Sequence, residues 1–369
     1  MTDRHSAPIG LYLHIPFCRS KCPYCDFFSV RYDEKTSDEY AELLCTCLAL
    51  YGERLGRTAD TVYFGGGTPS VIGEERLIRI LEAAKNSFSA KSIETTLEVN
   101  PEKKNTDFER LRNAGFDRVS IGVQSADDDE LRLLGRLHDR HDAESCISLA
   151  QRSGFENISL DLMIATPKQT KDSLMRSIDF CAENGAKHIS AYILKIEKGT
   201  VYYRKKDSLS VPDDDEQAEM YLFAAEKLAE YGYRQYEISN FSKPGYESRH
   251  NMKYWRDEEY LGLGPSAHSF IGGKRWYFGR SFEDFALDIS ICDGDGGSIE
   301  EYIMLGLRLS EGIGFERFYE RFGTPLPEIY KKRASRFIAA GYTEVTDGYM
   351  RLTPKGFMLS NALIAEILG

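Results

Sequence analysis

Three cysteines fall within eight residues of the stretch Leu13–Phe27, "LHIPFCRSKCPYCDF", as Cys18, Cys22 and Cys25 in the spacing Cys-x3-Cys-x2-Cys. Thiolates this close together hold soft metals. A structural zinc ion takes four protein ligands, usually as two pairs separated by a longer insert, and His14 is the only nearby candidate for a fourth here. Iron–sulfur chemistry suits three better, because four irons held by three cysteines leave one iron open to a substrate or a second cofactor. A zinc-held scaffold, or three packed thiols, is the plainer alternative. The remaining cysteines, Cys45, Cys47, Cys146, Cys181 and Cys292, are scattered, and packing is their expected role.

Other chemistry-bearing residues stand where short apolar runs end. "TVYF" (61–64) leads into "GGGTPS" (65–70), whose bare glycines let a backbone approach a ligand and offer it N–H and C=O groups. "TTLEV" (95–99) carries Glu98 and runs into Asn100, "VSIGV" (119–123) runs into Gln124, and "ISLDLMI" (158–164) contains Asp161. Each has a plain structural role: Glu98 and Asp161 capping loops, Gln124 satisfying a buried backbone group, Arg136 in a surface ion pair worth little. In "HNMKYW" (250–255) His250 precedes Tyr254 and Trp255. An imidazole is a good axial ligand for heme iron and the rings could pack on a porphyrin face; a hydrogen-bonded histidine beside a core tryptophan is the alternative. "GLGPSA" (262–267) imitates a dinucleotide fingerprint without a βαβ unit around it, and the two histidines of "HDRH" (138–141) have no third ligand nearby.

Placing these groups falls to the elements around them. With "LYLHI" (11–15) and "ISAYIL" (189–194) the apolar runs make six strands. Amphipathic segments separate them, among them "SDEYAELLCTCLAL" with Ser37 as N-cap, "GEERLIRILEAAKNSF", and "TDFERLRNAGF" stopping at Gly115. This is an α/β pattern with a parallel sheet and right-handed crossovers. Eight units close a full barrel, so six predict a partial TIM-like (β/α)6 barrel, with functional groups gathered at the carboxyl ends of its strands. Beyond it, "DDDEQAEMYLFAAEKLAEYGY" reads as a long helix, "YRQYEISNFSKPG" as a strand and turn, and "CDGDGGS" (292–298) as a linker. The last segment alternates helices with a hairpin turning at Asp347-Gly348, which predicts a small, mostly helical, winged-helix-like module. The expected domains are 1–290 and 299–369.

A net charge of −11 argues against a generic phosphate-binding surface, and the short basic run Lys331–Arg336 reads as a solvated helix face, so no nucleic-acid partner is expected. "MTDRHSAPIG" (1–10) lacks the apolar core of a signal peptide, and no window reaches the ~18 apolar residues of a membrane span. The expectation is a cytoplasmic protein with no transmembrane segment and with reduced thiols.

The cysteine motif, "GGGTP", "LEVNP" (97–101), "RVSIGVQS" (118–125), "LGRLH" (134–138) and "DLMIATPKQT" (161–170) together resemble, in this order, the radical S-adenosylmethionine superfamily and, within it, the oxygen-independent coproporphyrinogen III oxidase-like branch. The resemblance covers essentially the whole chain. It implies that Cys18, Cys22 and Cys25 hold a [4Fe–4S] cluster whose fourth iron is chelated by S-adenosylmethionine. Gly66, Gly67 and Thr68 then take the amino group of that molecule, and Tyr12, Tyr24, Glu98, Gln124, Arg136 and Asp161 surround it. One departure is Ala165, Thr166 and Lys168, in a loop where the branch usually has glycines. Only seventeen residues precede Cys18, and Asp26-Phe27 follow Cys25 where true oxidases have a further cysteine. With the His-Asn-x-x-Tyr-Trp signature, this resembles the HemW-type heme chaperones of the branch. The implied function is binding heme near His250 and handing it to acceptor proteins, with cleavage of S-adenosylmethionine to a 5′-deoxyadenosyl radical retained. Oxidative decarboxylation of porphyrinogen propionates is the competing reading.

Overall fold

The computed structural model describes residues 7–89, 93–102 and 106–369, so the first six residues of "MTDRHSAPIG" lie outside it. Twelve strands form one sheet: β1 (Ile9–Ile15), β2 (Ala59–Gly66), β3 (Glu94–Val99), β4 (Arg118–Gln124), β5 (Asn157–Ile164), β6 (His188–Ile193), β7 (Arg234–Glu237), β8 (Asn240–Ser242), β9 (Tyr260–Leu263), β10 (His268–Ile271), β11 (Lys274–Phe278) and β12 (Ser290–Asp295). Their order is β12-β11-β10-β9-β1-β2-β3-β4-β5-β6-β8-β7. Strands β1 to β6 pair in parallel, each with the next, as the six apolar runs predict. The edges go further than the sequence suggests. β9 adds to β1 in parallel, three antiparallel strands follow it, and β8 and β7 extend the other edge.

Part of the expected linker is the outermost strand. Residues 292–295 pair with β11, Trp276 opposite Cys292 and Lys274 opposite Asp295. Every residue of β12 is exposed, so no alternation of apolar and polar side chains marks it in the sequence, and backbone pairing alone defines it. Cys292 is accordingly exposed and not a packing residue; all eight cysteines are free.

Alternation along the strands builds two faces. In β1, Ile9, Leu11, Leu13 and Ile15 are fully buried toward the surrounding helices, each such side chain contributing about 1.5–3 kcal/mol over exposure. Tyr12 and His14 turn the other way, as do Tyr63, Glu98, Ser120 and Asp161, which meet across the barrel interior. The covering helices include Glu34–Leu55, Glu74–Ser87, Phe108–Ala114, Arg140–Arg152, Lys171–Glu183 and Asp214–Glu230. The first is capped by Asp33, whose carboxylate accepts from the Thr36 N–H at 2.9 Å, while Ser37 lies inside the helix and donates to the Asp33 carbonyl. An earlier acidic cap displaces the later serine because it serves the same orphan N–H groups and complements the helix dipole.

The carboxyl-terminal module has helices Ile299–Gly306, Phe315–Phe322, Glu328–Ser335 and Ser360–Leu368 around the expected hairpin, Val345 opposite Met350, with Ile313–Gly314 as a third short strand. Buried Asp257 ties it to the barrel by accepting from Arg321 of the module and from Arg275 of β11 at 3.0 Å. Among the described residues no helix is long and apolar enough to cross a membrane.

Candidate functional site

The cysteine run leaves the carboxyl end of β1. Fully buried Phe17 anchors it, and Phe17–Cys18 pairs with Val30–Arg31. Val30 N–H donates to the Pro16 carbonyl at 2.7 Å and Tyr32 N–H to that of Cys18 at 2.8 Å, so the loop is pinned at both ends. Between them Cys25 N–H turns back on the Cys22 carbonyl, 3.2 Å. Arg19 in the loop is paired at 2.5 Å with Glu102, beyond β3. All three thiols are partly exposed. Burial pushes those of Cys18 and Cys25 up, and Cys25 also feels the charges of Cys22 and Cys18, so the sulfurs stand within one another's electrostatic reach.

These donors suit a cluster better than an ion. Three cysteines are the ligand set that leaves one iron of a four-iron cube open, whereas a structural zinc ion takes four protein ligands. His14 is no fourth ligand. Its Nδ1 is bonded to the Tyr12 hydroxyl at 3.0 Å and its Nε2 to the Phe28 carbonyl at 3.1 Å, and burial pulls its pKa down to about 4.

The bend at Gly66–Thr68 lies beside the cysteine loop. A Cβ on Gly66 (φ 116°) would sit 2.5 Å from the His14 ring, and one on Gly67 2.7 Å from the Phe17 carbonyl oxygen, so glycine here is demanded by close packing of the protein on itself. The N–H groups are occupied: Gly66 donates to Glu98 at 3.1 Å, Gly67 to the Ile15 carbonyl at 3.0 Å and Thr68 to that of Phe17 at 2.8 Å. What this bend can present to a ligand is therefore acceptors, which suits an ammonium group and not an anion.

Glu98 stands above the bend on β3, accepting also from the Tyr63 hydroxyl at 2.8 Å. Burial, with the charge of Asp161 adding to it, raises its pKa to about 7 against the bonds from Tyr63 and Gly66. Asp161 on β5 accepts from Ser120 at 3.0 Å and is likewise raised by burial. Tyr12 stacks on Tyr63, ring centroids 6.1 Å apart. Tyr192 on β6 lies within reach of the charges of Asp161 and Glu98 yet keeps 42 % of its surface accessible. Gln124 ends β4 in a left-handed conformation (φ 68°).

Arg136, read singly as a surface residue, turns inward. Its Nη1 donates to Cys22 Sγ at 3.7 Å and to the Tyr24 hydroxyl at 3.5 Å, its Nη2 to Asn100 Oδ1 at 2.6 Å and to the Gly122 carbonyl at 2.9 Å. Asn100, noted in the sequence only as a strand-end residue, is thus a member of the site, and its other arm donates to Thr68 Oγ1 at 2.8 Å. The one sequence signal for it is its place two residues after Glu98 at the end of a strand. In the loop without the expected glycines, Ala165 (φ 59°) and Lys168 (φ 65°) adopt the left-handed backbone that glycine favours. Gln169 pins that loop by accepting from Ala165 N–H at 2.7 Å and donating to the Met163 carbonyl at 3.1 Å.

His250 is not brought to this rim. It lies on the helix Arg249–Trp255 against the opposite end of the strands, where the backbone N–H groups of Arg249 and His250 both bond Glu94, the first residue of β3, at 3.1 Å. The ring is 1 % exposed, stacked on Tyr63 at 5.2 Å. Its Nδ1 is bonded to Thr61 Oγ1 at 2.8 Å and its Nε2 to the Tyr254 hydroxyl at 2.7 Å, and burial pulls its pKa down to about 3. In this conformation neither ring nitrogen is open to a heme iron. Nearby Arg118, 1 % exposed, has Nε and Nη1 buried without a hydrogen-bond partner.

Comparisons with known proteins bear on the fold and the family. Residues 12–181 match the radical SAM superfamily and residues 298–359 the HemN C-terminal domain. The heme chaperone HemW of Bacillus subtilis is 34% identical over 374 residues, spanning 97% of this chain and 98% of that protein. The heme chaperone HemW of Mycobacterium tuberculosis is 34% identical over 379 residues, spanning 98% and 95%. The solved structure of coproporphyrinogen III oxidase (HemN) from Escherichia coli, a radical SAM enzyme, aligns with a TM-score of 0.84 over 98% of this chain and 90% of that one; at 20% identity this shows the shared fold. The chain belongs to the HemW family of the radical SAM superfamily.

Proposed function

We propose that this protein holds a [4Fe–4S] cluster on Cys18, Cys22 and Cys25, binds S-adenosylmethionine at the open iron, and takes up heme that it passes to acceptor proteins. The observation that carries the reading is the rim itself: three free, partly exposed thiols on one pinned loop, with His14 bonded elsewhere, facing a bend that offers acceptors and a carboxylate. Bound there, the cluster would supply an open iron and one-electron chemistry.

The chain's own residues do the rest. Glu98 and the Gly66–Gly67 carbonyls receive an ammonium group, and Glu98 is most effective once ionised, above about pH 7. Tyr12, Tyr24, Gln124, Arg136 and Asp161 line the approach and exclude bulk water, which strengthens each of these contacts. The heme function rests on the family, whose members in B. subtilis and M. tuberculosis bear that name over nearly their whole length.

Anaerobic reconstitution followed by iron and sulfide analysis tests the cluster, and a zinc-only, colourless protein would reject it. Heme titration and incubation with coproporphyrinogen III then divide the two chemistries. Stoichiometric heme uptake without turnover is the expected result; a decarboxylated product would replace the chaperone reading with the oxidase one.

A further inference from the structure

Three side chains link two of the three cysteines by hydrogen bonds, and one amide stands in the middle. Arg136 Nη2 donates to Asn100 Oδ1 at 2.6 Å, Asn100 Nδ2 faces Thr68 Oγ1 at 2.8 Å, and Thr68 Oγ1 lies 3.6 Å from Cys18 Sγ, while Arg136 Nη1 lies 3.7 Å from Cys22 Sγ. A guanidinium carries only donors, so the amide atom turned toward it must be the oxygen, and the NH2 group therefore faces Thr68. The threonine oxygen is then an acceptor toward Asn100. Its single hydrogen is left to point elsewhere, and Cys18 Sγ is the acceptor within reach. Thr68 is 3 % exposed, so bulk water does not compete for that hydrogen.

The backbone around Asn100 is fixed to the same end. Pro101 biases it toward an extended conformation, and Glu102 N–H bonds back to the Asn100 carbonyl at 2.8 Å. The Glu102 side chain takes Arg19, which follows Cys18, at 2.5 Å. The segment Asn100-Pro101-Glu102 thus grips the cysteine loop at its backbone-proximal side and reaches two sulfurs through Thr68 and Arg136.

We infer that Asn100 is a positioning residue for the cluster: its amide directs the Thr68 hydroxyl to Cys18 and the Arg136 guanidinium to Cys22, and so sets the hydrogen bonds that two of the ligating sulfurs receive. The inference rests on the cluster reading proposed above. Hydrogen bonds to such sulfurs stabilise the reduced, more negative state and raise the reduction potential.

The test uses the full-length, anaerobically reconstituted chain, and its readout is the cluster's midpoint potential and the EPR spectrum of the reduced form, not turnover. If the wild type fails to take up four irons, the cluster reading falls and the failure is seen before any variant is made. Asn100→Asp keeps an acceptor for Arg136 but has no N–H for Thr68, so the threonine hydroxyl turns to the carboxylate and Cys18 loses its bond. The expected result is retained iron, a lower potential and an altered EPR spectrum. A new negative charge also lowers the potential, so the variant is paired with Thr68→Val and with the double variant. The shift caused by Asn100→Asp should shrink when Thr68 is absent. An equal shift in both backgrounds, or none, overturns the inference, as does loss of the cluster in Asn100→Asp while Thr68→Val retains it.

Discussion

The two ends of the barrel interior are both polar and both deep, yet they are finished differently. At the floor, His250, Thr61, Tyr254 and Glu94 satisfy one another: both imidazole nitrogens meet hydroxyls, and Glu94 takes the first N–H groups of the helix that carries His250. At the rim, the thiols, Gly66, Gly67 and Tyr192 each keep a face open. Rim backbone is also held in left-handed conformations at Gln124, Ala165 and Lys168, the kind of local strain that clusters at functional sites. Burial of a polar group therefore points to function only where its partners are incomplete. Arg118 is where the floor departs from its own rule, with two buried nitrogens lacking a hydrogen bond beside Glu94 and Asp161.

The largest test of the contrast is to remove the thiols. Cys18→Ala, Cys22→Ala or Cys25→Ala should each abolish four-iron uptake while changing folding stability by under about 1 kcal/mol, since partly exposed side chains carry little of the core. Iron and sulfide analysis beside urea unfolding checks both halves; a variant that unfolds would make the cysteines structural and erase the distinction. His250→Ala should do the reverse. It leaves the Thr61 and Tyr254 hydroxyls without partners and opens a cavity under Tyr63, a loss of about 3 kcal/mol. Heme stoichiometry in the folded variant should match the wild type. A stable variant that no longer takes up heme would return His250 to the heme site.

Glu98 sharpens the comparison by pH. Its folded pKa of about 7 lies above the ordinary 4.5, so the stability it contributes is fully present below about pH 4.5 and is lost as pH rises through about 7. In the protein without its cofactors that loss should be about 2 kcal/mol, allowing for solvent screening at the half-buried carboxylate, and Glu98→Gln should flatten it in urea unfolding curves taken from pH 4.5 to 8. Affinity for S-adenosylmethionine should run the opposite way, strengthening as Glu98 ionises, and lose that dependence in the variant. A pH-independent affinity in the wild type would remove the carboxylate from the amino-group site.

The six core strands were legible because covered parallel strands are short apolar runs, and observed boundaries such as Arg118–Gln124 lie within a residue or two of those runs. Glu98 and Gln124 stood out because they sit at or near strand ends, and Asp161 because it is an acidic residue inside an apolar strand. What could not be read is long-range. Nothing local says that Tyr260–Leu263 joins β1, since register between distant strands leaves no period in either sequence. The same holds for side-chain partners. "HNMKYW" gives no sign that Thr61 and Tyr254 occupy both nitrogens of His250, and "LEVNP" gives none that Asn100 bridges Arg136 and Thr68.

The smallest effect concerns the rim loop of Ala165 and Lys168, where glycines were expected. A left-handed backbone costs an ordinary residue about 1–2 kcal/mol relative to glycine, and glycine gives back about 0.4–1 kcal/mol through the entropy of the unfolded chain. Exposed Lys168 has little else to lose, because its N–H bond to the Ser210 carbonyl, 2.9 Å, survives the substitution. Lys168→Gly should therefore stabilise the protein by about 0.5–1 kcal/mol. Ala165 has the same backbone but is 1 % exposed, and its buried methyl is worth nearly as much as the relieved strain. Ala165→Gly should come out near zero. Urea midpoints at constant slope separate the two, and equal gains from both would mean that the rim loop packs its methyl group less tightly than its burial indicates.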